Sequence, residues 1–541
     1  MSTNTINAQL CSKMFLAGAK SLEARKDWIN ELNVFPVPDG DTGTNMTMTA
    51  MSAVNEINNL EDDAPMSAVA KAMSSGSLRG ARGNSGVILS QILRGFCKVV
   101  RDHDEVNTEI ICSAFQKAVE TAYRAVMKPK EGTILTVARA FSEKASELFE
   151  NDPTITMEML LCGSVNYARE ILMKTPEMLP VLKEAGVVDS GGAGLIQILQ
   201  GAFDVYCGKE IDLSETVEIT NPEQKPATRF AYRLGLRVVS RTAVDDKTRT
   251  NLSAYLDMIG DNISMKEDGN TLTIAVNTDD PGRVITYVLP IGPIYDVCVE
   301  NLLGEEEAMM EGAELSEDPG PKKDVGFVTV SVGAGLKKIF EDLGADVIIS
   351  GGQTMNPSTE DVLNAIHKVN ADTVFVFPNN KNIILAASQA KELCEDKNVI
   401  VVPTRSIPQG ITAMISYVPE NTPEENEQLM NEEIAGVHTA ELTYAVRDTH
   451  IEDKEIHQGD IMGVGDHGIL AVGKEIEQTA LDSIAEMMDD DSELIVIYYG
   501  ADTNADDAKA LADKVRQKYP DCEVELNEGG QPIYYYIISV E

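Results

Sequence analysis

The sequence has no basic excess to offer a polyanion: 45 lysines and arginines stand against 87 aspartates and glutamates, a formal charge of −42. Such a chain is repelled by nucleic acid and by anionic membrane surfaces, which excludes both as partners and leaves a basic protein surface easier to accommodate. Paired cysteines are also missing. The eight present (Cys11, Cys97, Cys112, Cys162, Cys207, Cys298, Cys394 and Cys522) are scattered without one CxxC, so neither a disulfide framework nor a zinc ribbon is indicated. No apolar run is long enough to span a bilayer, and Met1 to Leu10 holds no basic segment followed by an apolar stretch. A soluble cytoplasmic protein without stable membrane insertion is the expectation. His438, His450, His457 and His467 lack the spacing of zinc ligands.

Familiar ligand motifs are incomplete as well. Gly333-Ala334-Gly335 follows an apolar β-rich run but lacks the third glycine of a dinucleotide fingerprint. Gly468 to Lys474 has P-loop spacing, yet Glu475 stands where a Ser or Thr would ligate Mg2+, and the insert Ile469-Leu470-Ala471-Val472 is β-like, which predicts a hairpin. Counted from Asp39, a calcium loop would need Gly where Thr44 stands and Glu where Ala50 stands.

What is there is an acidic turn. In Asn33-Val34-Phe35-Pro36-Val37-Pro38-Asp39-Gly40-Asp41-Thr42-Gly43-Thr44-Asn45-Met46 the prolines hold the run extended up to Asp39, and two carboxylates then precede a helix-compatible stretch. A hard cation such as Mg2+ takes oxygen ligands from one or two carboxylates and leaves positions for substrate phosphates, which the free amides of a helix start also favour. The same string is also ordinary turn chemistry, with Asp or Thr capping the next helix. Three further turns sit in the same region. Arg79 to Gly86 places two guanidiniums and a Gly-rich, hydroxyl-bearing turn before an apolar helix, either to bind phosphate or as an N-cap by Asn84 or Ser85 with solvated arginines. Pro129 to Thr133 and Val188 to Gly194 are each, taken singly, only loops.

The length of 541 residues predicts about three or four domains. Up to Lys209 apolar residues recur at helical spacing (Ile6, Leu10, Met14; Ile88, Ile92, Phe96), so residues 1–212 read as an all-helical bundle or barrel. After a polar linker, Ser214 to Thr228, the alternation within 229–318 predicts a small α+β domain with a helix from Asp245 to Gly260. A second acidic connector, Gly304 to Asp324, leads to residues 325–541, where apolar runs alternating with helical segments predict an α/β region with subdomains near 325–418 and 434–541. Within it, Ser350 to Thr359 is a polar, Gly-rich segment after a strand end. It is either a ligand loop or a solvated loop capping a helix at Ser358.

Four turns in this order resemble the nucleotide-binding domain of the dihydroxyacetone kinase L-subunit family, and more closely the ATP-binding subunit of bacterial fatty acid kinase. The resemblance continues through Ser350 to Thr359. It implies an antiparallel barrel of about eight helices with the nucleotide at one end. It also implies Mg2+ on Asp39 and Asp41, with Asn33 standing where the L-subunits place a further aspartate. ATP would contact Thr42, Gly43, Thr44, Asn45, Asn84, Ser85, Gly86, Thr133, Asp189, Gly191 and Gly192, and Asp39, Asp41 and Arg82 would carry phosphoryl transfer to a fatty acid. The expected partner is a fatty-acid-binding carrier protein docked by the C-terminal region, and a homodimer is left open. A middle-domain metal site of the family maps onto Arg233, Ala275 and Asn277, which are not its Cys and His ligands. A dihydroxyacetone-type kinase and a catalytically lapsed nucleotide-binding regulator stand as alternatives.

Overall fold

A computed structural model describes residues 4–33, 40–61, 63–126, 128–209, 232–239, 252, 255–256, 260–268, 271–278, 281–289, 291–301, 322–352, 356–445, 449–451, 454–466, 468–489 and 492–541. The chain forms two compact units, one from Met1–Leu213 together with Pro321–Glu541 and one from Ser214–Gly320.

The N-terminal part of the first unit is helical, as its 3.6-residue periodicity requires, apart from one short antiparallel pair, β1 (Ile6–Asn7) with β2 (Glu105–Val106). Eight helices of 14 to 18 residues, α1 (Ala8–Ala24), α3 (Thr42–Asn58), α4 (Met66–Arg79), α5 (Gly83–Val100), α6 (Thr108–Ala125), α7 (Ile134–Asn151), α8 (Met157–Leu172) and α11 (Ser190–Tyr206), are joined by the short α2 (Lys26–Leu32), α9 (Thr175–Met178) and α10 (Pro180–Ala185). Each long helix packs on the next, and α11 closes the ring by contacting both α8 and α1. Starts are fixed by side chains that accept otherwise orphaned amides: Asn7 from Leu10 and Asn107 from Ile110, both at 2.9 Å. The ring encloses a wholly apolar cavity lined by residues such as Phe15, Leu89, Phe96, Phe115 and Phe203. It offers a phosphate nothing, so the candidate chemistry lies elsewhere.

Residues 322–541 hold two large sheets and a two-stranded antiparallel pair, β12 (Thr449–Ile451) with β13 (Lys454–Ile456). The first is fully parallel, ordered β10-β9-β7-β8 from β7 (Lys323–Ser331), β8 (Val347–Ser350), β9 (Ala371–Phe377) and β10 (Asn398–Val401). Parallel strands buried on both faces read as continuous apolar runs, and five successive residues from Thr373 to Phe377 are buried. The second sheet is mixed, ordered β15-β14-β11-β18-β16-β17 from β11 (His438–Tyr444), β14 (Ile461–Gly465), β15 (Ile469–Gly473), β16 (Leu494–Tyr499), β17 (Glu523–Glu528) and β18 (Tyr536–Val540), with only β16 and β17 parallel. Leu336, Phe340, Phe375 and Phe377 share one core with Val496, Tyr498 and Ile537, so the two sheets pack as one body. The P-loop-like string is the β14–β15 hairpin, and Lys474 pairs with Asp460. The partial dinucleotide motif is a packing device: a Cβ on Gly335 would sit 1.8 Å from the Glu528 carbonyl oxygen.

The second unit is a four-stranded antiparallel sheet, β4-β5-β3-β6, from β3 (Tyr232–Val239), β4 (Gly260–Asp268), β5 (Thr271–Thr278) and β6 (Ile294–Asn301), with helix α12 (Pro281–Val288). Leu234, Leu236, Val238, Ile274, Val276, Val284 and Val288 form its core. The helix expected from Asp245 to Gly260 is described only at Leu252, Tyr255 and Leu256, and Gly260 opens β4 instead. Arg233 and Asn277 are opposed across β3 and β5, while Ala275 faces Gly235; none of the three supplies a thiolate or imidazole. No helix among the described residues is long and apolar enough to cross a membrane.

Candidate functional site

Helix α3 begins where the acidic turn ends. Asp41 is its N-cap residue, yet its side chain makes no capping hydrogen bond, so the carboxylate is left for other work. The turn is anchored from α2: Asn30 donates to Thr44 Oγ1 at 3.0 Å and accepts the Thr44 amide at 3.1 Å. Gly43 permits the approach, since a Cβ there would lie 2.2 Å from the Lys26 carbonyl oxygen. The Thr44 amide is thereby occupied, and the Asn45 amide bonds the Asp41 carbonyl at 2.8 Å. Thr42 and Gly43 are then the donors that a phosphate at this helix start would meet.

Two other helix starts converge on this one. Ser190, first residue of α11, donates its hydroxyl to Thr42 Oγ1 at 3.3 Å. Asp189 before it is a structural cap, accepting the Gly192 amide at 2.6 Å, and the Ile134 amide bonds it too. Burial lifts its carboxyl to about 6. Gly192 therefore gives its amide to Asp189, and Gly191 lies against Ile134 at the start of α7, where Thr133 caps through the Leu135 amide at 3.4 Å. From the other side, Gly86 on α5 packs on α3 so closely that a Cβ would sit 2.4 Å from Thr49 Oγ1.

The Arg79 to Gly86 turn departs from the capping reading offered by the sequence. Arg82, rather than Asn84 or Ser85, occupies the N-cap of α5, because an antiparallel bridge to Ser358 holds its backbone extended. Its guanidinium is not solvated: it donates to the Asn356 carbonyl oxygen at 3.1 Å and pairs with Asp361 at 3.5 Å. Arg79 pairs with Glu56 at 3.6 Å near the surface. Asn84 is exposed and donates to Asn382 Oδ1 at 3.1 Å, while Ser85 lies in the first turn of α5.

Residues of the α/β region thus reach the acidic turn. Ser358 caps helix α13 (Thr359–Lys368) in a reciprocal box with Asp361, which realises the capping role. Two residues earlier, Asn356 donates from Nδ2 to Asp41 Oδ2 at 2.6 Å. Deeper in the contact, Gln91 donates to Gln389 at 2.7 Å, fully buried. Asn30, Asp361 and Gln389 are the residues that motif spacing missed, and Asn356 was marked only as part of the Ser350 to Thr359 loop. Asn30 alone had a local signal, an amide side chain one turn before the acidic run; the others act across hundreds of residues.

Burial raises the Asp41 carboxyl above its ordinary value, against lowering hydrogen bonds from Asn45 and Asn356. A cation beside it would reverse that direction. The surrounding donor set is oxygen and amide throughout, which suits a hard divalent ion and not a soft one. Asn33 ends α2 as its C-cap and is buried. Asp39 lies outside the described residues.

Comparison with known proteins decides the family. Residues 36–204 match the DAK2 domain, residues 229–309 the FakA-like middle domain of fatty acid kinases, and residues 326–541 the FakA-like C-terminal domain. The chain belongs to the FakA-like fatty acid kinase family. It is 38% identical to Protein YloV of Bacillus subtilis (strain 168), with 100% of both chains covered. It is also 38% identical to the uncharacterized protein SAR1202 of Staphylococcus aureus (strain MRSA252), with 99% of each covered. Neither name assigns an activity. Among solved structures, a dihydroxyacetone kinase of C. freundii in complex with AMP-PNP and Mg2+ aligns over 36% of this chain and 33% of its own, at 14% identity and a TM-score of 0.29.

Proposed function

We propose that this chain is the ATP-dependent kinase component that phosphorylates a fatty acid held by a separate carrier protein, giving an acyl phosphate. The observation that carries the reading is the Asp41 turn, in which a carboxylate unused for capping opens a helix against the Ser190 and Arg82 turns. Asp39 and Asp41 would hold Mg2+, with Asn33 as a neutral neighbour. The ion would supply charge neutralisation and orientation for the ATP phosphates. Thr42 and Gly43 offer amides, Thr42 and Ser190 hydroxyls, and Arg82 a charge balanced by Asp361. Nothing more is needed chemically. A carboxylate acceptor is already ionised near neutral pH, since Glu-like acids titrate near about 4.3, so the site requires no general base.

In this reading residues 1–212 supply the phosphate and metal contacts, 325–541 the docking of the carrier, and 229–318 neither. The test uses the full chain. Asp41→Ala and Asp39→Ala should each abolish Mg2+-dependent ATP turnover in the presence of fatty-acid-loaded carrier, with the circular dichroism of the parent retained. Full turnover in either variant would overturn the assignment of the turn. Turnover that depends on dihydroxyacetone in place of carrier would identify the other kinase of this type.

A further inference from the structure

Asn356 is 4% exposed and sits against the Asp41 carboxylate. Its amide is oriented by that contact: Nδ2 lies 2.6 Å from Asp41 Oδ2, a spacing that a carbonyl oxygen in the same place would meet with repulsion. The other end of the amide is then an acceptor. Asn356 Oδ1 is buried and has no hydrogen-bond partner among the described residues. An unpaired buried carbonyl is costly, and a ligand, ion or ordered water that contacts it offsets that cost. Nor is the side chain placed by chance packing. Its own carbonyl is held by Arg82 at 3.1 Å, the same guanidinium reaches Asp361, and the Arg82–Ser358 bridge fixes the backbone two residues further on. The Thr359 amide adds a bond to the Ala81 carbonyl at 3.1 Å.

We propose that Asn356, supplied by the α/β region, completes the metal and phosphate site opened by the helical ring. Nδ2 fixes the rotamer of Asp41, leaving Oδ1 as a neutral oxygen ligand to the cation or to its bound water. The site is then composite. An asparagine carbonyl beside an aspartate suits a hard divalent ion, which takes oxygen donors with or without charge. Partners that orient a metal-ligating carboxylate typically account for ten- to a hundredfold in metal affinity. The proposal rests on the metal reading of Asp41 and adds that the helical ring alone does not make the whole site.

The experiment is Mn2+ binding to the full chain with AMP-PNP, followed by electron paramagnetic resonance and needing no turnover. Asn356→Leu removes both functions of the amide at nearly constant volume and should weaken Mn2+ by about tenfold or more. Asn356→Asp loses the donor but restores an oxygen ligand, so it should bind within a few-fold of the parent once cation is present, a rescue that a purely structural contact would not show. It also serves if the leucine variant fails to fold. Equal Mn2+ affinity in parent and Asn356→Leu, or weakening in Asn356→Asp as deep as in Asn356→Leu, overturns the assignment of Asn356 alone. Tighter binding in Asn356→Leu also overturns it, and makes the contact inhibitory. A parent chain that binds no Mn2+ overturns the metal reading of Asp41 together with the proposal.

Discussion

Asp189→Asn isolates the consequence of burying a carboxylate at a helix start. Asp189 accepts the Gly192 amide at 2.6 Å, and burial lifts its carboxyl from the ordinary 3.8 to about 6 against the lowering pull of the Gly192 and Ile134 amides. The folded chain therefore keeps a proton where the unfolded chain has lost it. Stability tied to this group is complete below about pH 4 and is lost as pH rises through about 6. The gap between 3.8 and about 6 corresponds to about 3 kcal/mol at roughly 1.4 kcal/mol per tenfold change. That figure is a ceiling, because the residue keeps part of its surface even though its carboxyl is enclosed, and solvent screens the exposed part. Asparagine retains an acceptor for the Gly192 amide and has no charge to bury. The variant should be more stable than the parent by up to about 3 kcal/mol near pH 8, and the two should coincide near pH 4. Asp189→Ala should gain less near pH 8, since it also loses a cap worth about 0.5–2 kcal/mol. Trp28 is the only tryptophan and lies in α2, which packs on α3 and α11. Its fluorescence during denaturant unfolding therefore reports on the helical ring. Parallel stabilities for parent and Asp189→Asn from about pH 4 to pH 8 would refute the reasoning, because they would mean the carboxyl ionises at its ordinary value.

Gly86→Ala should drive a Cβ to 2.4 Å from Thr49 Oγ1 and destabilise the α3–α5 contact by about 1–3 kcal/mol; adding Thr49→Ala should recover much of the loss in thermal unfolding, and no recovery would contradict the close-approach account. Gln91→Leu should leave the buried Gln389 amide unpaired at about 1–3 kcal/mol, whereas the double change with Gln389→Leu should be nearly neutral. A coupling below about 0.5 kcal/mol in that cycle would contradict the buried contact between helical ring and α/β region.

The parts of the fold governed by local periodicity were legible. Stripes such as Ile88, Ile92 and Phe96 lie on one helix, and apolar runs such as Thr373 to Phe377 became buried parallel strands, since each pattern matches the repeat of a single element. The β14–β15 hairpin was legible for the same reason. Contacts between distant segments were not. Asp41 and Asn356 are 315 residues apart, and nothing in either string names the other. Arg82 was placed at the phosphate turn, but its hold on Asn356 and Asp361 depends on a bridge formed only in the folded chain. Likewise, the amides of Thr44 and Gly192 looked available in the sequence and are taken by Asn30 and Asp189. A helix start offers free donors only where no nearby side chain has already accepted them.

The central claim, transfer of phosphate from ATP to a carrier-held fatty acid, is tested most directly by trapping the product. Full-length chain, Mg-ATP and fatty-acid-loaded carrier are incubated with hydroxylamine, and acyl hydroxamate is measured against ADP released. The account predicts equal amounts of the two, with neither formed when carrier or Mg2+ is omitted or when Asp41 is replaced by Ala. ADP release without hydroxamate, or hydroxamate undiminished in Asp41→Ala, would contradict it.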